Sequence, residues 1–176
     1  MWNKDNLESH IFIAIDGRSA SGKTTLSEKL EKMLPCEVIH MDDFFLPIER
    51  RAEDWLEIAG GNIDFERLVR EVLLPLQNGQ MCEVRPFDCK NQREKDGYVL
   101  GKEKIIVIEG AYACHPKLWD YAELHVFMDV DEETQGKRIY DRNGEKGLEM
   151  FRKTWIPLEE RYLSKYKIKE RCELHL

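Results

Sequence analysis

The sequence predicts an α/β fold: a parallel sheet with helices on both faces, extended by a small antiparallel ribbon and a short lid. Three observations point there. Short apolar runs at 11–16, 37–41, 105–108 and 124–130 alternate with helical patterns, as strands joined by crossover helices do. The first run passes through a glycine-bounded loop straight into a helix-prone segment. Finally, 176 residues without repeats, low-complexity stretches or an evident linker fit one domain, 1–176, large enough to bury a core.

Residues 11–16 read as a buried parallel strand: short, apolar and ended by glycine. Gly17-Arg18-Ser19-Ala20-Ser21-Gly22-Lys23-Thr24 follows, a G-x-x-x-x-G-K-[ST] pattern in its strand–loop–helix setting. Gly17 and Gly22 permit backbone angles that let the loop's N–H groups converge on an anion. The helix beginning near Lys23 adds its positive dipole end. Ser19, Ala20, Ser21 and Thr25 complete the stretch expected around the phosphates. Lys23 would reach the β- and γ-phosphates, and Thr24 would offer its hydroxyl to Mg²⁺. The stretch predicts binding of a nucleoside triphosphate.

A first helix at 25–33 carries Leu26, Leu30, Met33 and Leu34 at helical spacing, and Pro35 closes it. The strand at 37–41 runs into Asp42-Asp43-Phe44-Phe45, placing two carboxylates where open α/β sheets bind ligands. Residues 49–62 are charged and irregular, with Trp55 and a Gly60-Gly61 turn. An amphipathic helix covers 65–76, with Phe65, Leu68, Val69, Val72 and Leu76 on one side. Residues 82–85 and 98–100 read as the arms of the ribbon and 88–97 as its tip. Ile105–Ile108 is a core strand ending in Glu109-Gly110, and 124–130 is another. A polar helix at 132–142 leads into a loop at 143–147 with two glycines. The last helix spans 148–166, bent near Pro157, and 172–176 adds a short final strand.

Composition narrows the function. A net charge of −7 argues against nucleic acid or an anionic membrane as the main partner. The five cysteines form no C-x-x-C pair, which suggests reduced, packed thiols. The polar first ten residues and a following apolar run too short for a leader or a span suggest a cytoplasmic protein. His40 and His115 lack companions at metal-ligand spacing and read as structural. Phe44, Phe45 and Trp55 read first as packing residues, with Phe45 kept as a candidate acceptor contact.

A phosphate loop alone does not separate kinases from other nucleotide-binding proteins. No Asn-Lys-x-Asp motif for guanine is present, and the chain lacks room for the modules of most mechanical ATPases. What remains is Asp42, Asp43 and Glu109 with a basic segment around Arg138 and Arg142, a set suited to phosphoryl transfer onto a small hydroxyl compound. A loose transition state needs positioning and neutralised charge more than a strong base, and Arg binds phosphate oxygens as a fork.

On these residues the chain resembles the uridine kinase family, in the group that includes phosphoribulokinase, pantothenate kinase and nicotinamide riboside kinase. The likeness runs from Asp16–Thr25 through Met41-Asp42-Asp43-Phe44-Phe45, Asn62-Ile63-Asp64-Phe65 and Arg85-Pro86-Phe87-Asp88 to Ile108-Glu109-Gly110 and Asp129-Val130-Asp131. It implies a phosphate-loop fold and an ATP- and Mg²⁺-dependent kinase acting on a nucleoside, uridine or cytidine first. It makes Asp42 the base, Asp43 an organiser of Mg²⁺, Glu109 the holder of a metal-bound water, and Arg138 and Arg142 the lid cations. A one-residue slip would exchange the two aspartates. Phe45, Asp64, Phe87 and Gln92 fall on the acceptor side; the last two stand where the family commonly has an aromatic hydroxyl and a histidine. Nicotinamide riboside or pantothenate kinase activity, or a regulator that binds nucleotide without transfer, are the alternatives. A homo-oligomer is left open.

Overall fold

The protein is described here from a computed structural model covering residues 9–88 and 91–176. Its centre is a sheet of β1 (Ile11–Gly17), β2 (Cys36–His40), β7 (Ile105–Glu109), β8 (Leu124–Met128) and β9 (Leu174–His175). The strands lie in the order β2-β7-β1-β8-β9, and every neighbouring pair is parallel. This is the predicted α/β architecture.

Period-two alternation sorts the central strands onto two cores. Phe12 and Ala14 of β1 face the larger one, together with Ile39, Ile106, Ile108 and Phe127. Ile15, Val38, Val107 and Val126 face the smaller one, which α1 (Lys23–Met33) covers through Leu26 and Leu30. Each fully buried aliphatic side chain contributes roughly 1.5–3 kcal/mol. Met33 and Leu34, expected on the same stripe, are instead 77% and 45% exposed. Helix α1 hands over to β2, an edge strand, so its last turn finds no sheet to cover.

The helix expected at 65–76 is present but not uniform. It runs as α2 (Phe65–Leu68), a π turn (Val69–Leu73) and α3 (Leu74–Gln77). The same arrangement recurs near the C-terminus, where a π turn (Phe151–Trp155) precedes α5 (Ile156–Tyr166). Pro75 and Pro157 each lie two residues beyond their π turn; neither has an N–H for the i−4 carbonyl, and the ladder widens just before each ring. The bend anticipated at Pro157 is taken up in this way.

The ribbon pairs β3 (Cys82–Val84) with β6 (Tyr98–Leu100) as expected. Its tip holds a second short pair, β4 (Phe87–Asp88) with β5 (Arg93–Glu94), which the sequence reading missed. The loop expected at 143–147 narrows to a kink: within α4 (Glu132–Met150) two helical stretches meet at Gly144, whose φ of 69° and ψ of −176° are not helical. A short helix α6 (Ile168–Arg171) leads to β9. Cys36, Cys114 and Cys172 are buried, with the last two sulfurs 3.9 Å apart; Cys89 lies outside the described residues. Among the described residues, no helix is long and apolar enough to cross a membrane.

Candidate functional site

Strand β1 ends at Gly17 with φ 137°, and a Cβ there would lie 2.0 Å from the Met128 carbonyl oxygen. Only glycine fits, which is why the motif must begin as it does. The loop then turns through two left-handed residues, Ala20 (φ 61°) and Gly22 (φ 109°), before α1 begins at Lys23. Ala20 in that region is an unfavourable backbone state of the kind found at ligand sites. The Ser21 hydroxyl oxygen is buried without a hydrogen-bond partner among the described residues. A phosphate oxygen would satisfy it. The Lys23 ammonium is folded back, donating to the carbonyls of Gly17 at 2.8 Å and Arg18 at 2.7 Å.

The loop forms one wall of a cleft of about 870 Å³. Asp42 and Glu109 stand in it at the C-terminal ends of neighbouring strands β2 and β7. Register places His40 opposite Glu109, with His40 Nδ1 2.6 Å from Glu109 Oε1. That contact raises the proton affinity of His40 above its usual value, partly offset by burial. The Thr24 hydroxyl lies 3.4 Å from both Glu109 oxygens. Asp42 opens onto the cleft yet is hemmed in by protein, and this loss of water raises its affinity for a proton. The Glu109 charge adds to the rise, and Lys23 opposes it.

Thr24, Asp42 and Glu109 supply only hard oxygen donors, and among the described residues no group of three or more His, Cys, Asp or Glu could hold a metal alone. This suits Mg²⁺, which takes one or two protein oxygens and fills its shell with water and phosphate.

The structure separates the two aspartates. Asp43 is outside the cleft wall: its carboxylate accepts from the Tyr98 hydroxyl at 3.0 Å, and its carbonyl accepts from Arg67 at 2.7 Å. The metal position expected for Asp43 is therefore corrected, because its side chain points to the ribbon. Phe45 does line the cleft, fixed by a backbone bridge to Ile63. Asp64 does not; it caps α2 through the Arg67 N–H at 3.0 Å and pairs with Arg50 at 3.3 Å. Asn62, two residues before it, lines the cleft in its place and is 2% exposed. Phe87 and Gln92 also lie off the cleft wall, and the Gln92 amide oxygen accepts from the Ile48 N–H at 3.2 Å.

Arg138 and Arg142 both line the cleft from α4. Arg138 donates to the carbonyls of Ala20 at 2.9 Å and Ser21 at 3.3 Å, while Arg142 donates to Asn143 Oδ1 at 2.8 Å. Sequence reasoning missed how firmly the C-terminal helices grip the loop. Gln135, one turn before Arg138, donates to the Ser19 carbonyl at 3.1 Å. The Ser19 N–H donates to Glu159 Oε2 at 3.0 Å, and the Ser19 hydroxyl donates to Glu159 Oε1. Arg18 forks onto Glu160 at 2.6 and 3.1 Å and reaches Asp129 at 2.9 Å. Only the i,i+3 spacing of Gln135 and Arg138 hinted at this.

Glu159 is buried, and desolvation raises its pKa above 4.5 despite the Ser19 hydrogen bonds and Lys23. A raised carboxyl favours folding fully below its ordinary pKa and loses that contribution as pH rises through the folded value. Glu159→Gln keeps an acceptor for Ser19 and never charges. Its melting temperature should exceed wild type near pH 7, and the gap should close below about pH 4.5. A gap that is absent, or that widens in acid, would show that Glu159 is not held against its charge.

The sequence pattern of the "Phosphoribulokinase / Uridine kinase family" matches residues 12–146. The chain is 27% identical over 157 residues to "Uridine-cytidine kinase B" of Dictyostelium discoideum, a match covering 82% of this chain and 64% of that one. It thus spans slightly less than two thirds of that relative's length. It is 26% identical over 177 residues to "Uridine kinase" of Mycoplasma genitalium, covering 91% and 82% of the two chains. A solved Bacillus stearothermophilus protein described as a possible uridine kinase superposes with a TM-score of 0.72 at 20% identity, over 96% of this chain and 89% of that one. At that identity the likeness is one of fold.

Proposed function

The chain belongs to the phosphoribulokinase/uridine kinase family, and we propose that it is an ATP- and Mg²⁺-dependent kinase that phosphorylates a hydroxyl of a nucleoside, uridine or cytidine first. One observation carries this reading: the phosphate loop, the Thr24–Glu109 pair and Asp42 open onto the same cleft. The names of the relatives point to the same acceptor class.

In this mechanism the loop's N–H groups and the Ser21 hydroxyl take the phosphates of ATP. Lys23 leaves the carbonyls of Gly17 and Arg18 to meet them. Thr24 and Glu109 would hold Mg²⁺, directly or through its water, and a bound ion would supply charge neutralisation at the phosphate oxygens. Asp42 accepts the proton of the acceptor hydroxyl as its oxygen bonds to the γ-phosphorus. The bond from that phosphorus to the bridging oxygen breaks, and ADP leaves. Arg138 and Arg142 add positive charge where it is needed most, at the transferring group.

The test is ADP formation above the no-acceptor rate, across uridine, cytidine, nicotinamide riboside, pantothenate and simple sugar alcohols. We expect kcat/KM for a pyrimidine nucleoside to exceed that for pantothenate or a sugar alcohol by at least about tenfold, the scale of one stacking contact. A strong preference for an acceptor without a nucleoside's ring would overturn the acceptor class. ADP formation that no acceptor stimulates would overturn the kinase reading itself.

A further inference from the structure

Kinases of this kind must hold the acceptor's ring as well as its hydroxyl, and the ribbon residues expected to do so lie off the cleft. Phe87 pairs with Glu94 in the ribbon tip, and Gln92 binds the backbone at Ile48. The cleft nevertheless has an aromatic wall. Phe151, Trp155 and Glu159 are spaced four residues apart, and all three line it. Glu159 marks the inner end of this stripe, against Ser19 of the phosphate loop. Trp155 lies one turn further out, half-buried, as the last residue of the π turn. Such turns often occur at functional sites.

Two features place Trp155 on the acceptor side. Its ring packs against Trp55 with centroids 6.0 Å apart, and Arg161 of α5 donates to the Leu56 carbonyl at 2.7 Å. Together they fasten the lid-side helix to the segment between Asp42 and α2. Trp55 is itself covered by the Arg51 guanidinium at 4.7 Å, so one tryptophan supports and the other faces the cleft. In the same cleft is Asn62, a largely buried residue whose side-chain amide can meet the polar groups of a ligand.

We propose that Trp155 is the specificity-determining residue for the acceptor, stacking on the flat ring of a nucleoside while Asn62 hydrogen-bonds its polar groups. This rests on the nucleoside kinase reading and replaces the ribbon as the source of ring recognition. The indole offers a broad apolar face that any base or pyridine ring can use, and the amide presents both a donor and an acceptor.

The test compares wild type with Trp155→Leu, Trp155→Phe and Phe87→Leu, using uridine and base-free D-ribose as acceptors. Trp155→Leu should raise KM for uridine about 5- to 150-fold while kcat and the KM for ATP stay near wild type. Trp155→Phe should recover most of the loss, and D-ribose should barely respond to either change. Thermal melts establish that each variant is folded. An unchanged KM for uridine in folded Trp155→Leu overturns the inference, as does a rise confined to ATP. A loss of uridine affinity in Phe87→Leu instead returns the ring to the ribbon. Wild type that turns over D-ribose but not uridine, or neither, refutes the nucleoside reading and this inference with it. Uridine turnover with an indifferent Trp155 refutes the inference alone.

Discussion

Lys23→Ala should lower turnover by about 10²–10³-fold, the scale of losing one preorganised charge donor at a developing anion, and leave the fold standing. In the structure its ammonium bonds the carbonyls of Gly17 and Arg18, both within the loop it serves. Those two carbonyls lose a donor in the variant, a cost of about 1–3 kcal/mol against a typical domain stability of about 5–15 kcal/mol. The variant should therefore melt somewhat lower but cooperatively. Because the loop N–H groups and the Thr24 hydroxyl remain, nucleotide affinity should fall less than kcat. Steady-state kinetics beside a thermal melt decide the matter. Wild-type turnover in folded Lys23→Ala would remove the phosphate loop from the mechanism.

The parts of the site that the sequence showed are those a local rule enforces. Gly17 is required by the Met128 carbonyl against it, and Asp42 and Glu109 follow from lying at the ends of short apolar strands. What it hid depends on distant contacts. Glu159 meets Ser19 across 140 residues of sequence, and no period within either helix announces that meeting. The acceptor wall was misread for a related reason. At the start of α2, Asp64 turned out to be a helix cap, a role equally compatible with an Asp before a helical stripe, while Asn62 took the cleft. Phe87 and Gln92 were placed by likeness to a family, and the anchoring of the tip at Ile48 takes them elsewhere. Leu26 and Met33 share a stripe by spacing, yet only the sheet's edge decides which of them is covered.

The two adjacent aspartates give the second large effect. We expect Asp42→Asn to lower kcat by about 10²–10⁴-fold with acceptor KM nearly unchanged, since the amide keeps size and hydrogen bonding but cannot take the proton. Asp43→Asn should stay within about tenfold of wild type, because its amide oxygen still accepts from Tyr98 and its side chain does not face the cleft. Protonation gives a second readout. Crowding by surrounding protein, reinforced by Glu109, raises the pKa of the cleft-facing Asp42 above 3.8, so wild-type kcat should fall on acidification with a midpoint above that value, and the residual Asp42→Asn rate should lack this limb. For stability the sign runs the other way. A raised carboxyl contributes fully below pH 3.8 and loses its contribution as pH rises through the folded value, so Asp42→Asn should melt above wild type at pH 7 and match it in acid. Kinetics of both variants across pH and Mg²⁺, paired with melts, separate the possibilities. If Asp43→Asn instead shows the magnesium-independent loss of kcat while Asp42→Asn keeps it, the base is Asp43 and the assignment is one residue out of register.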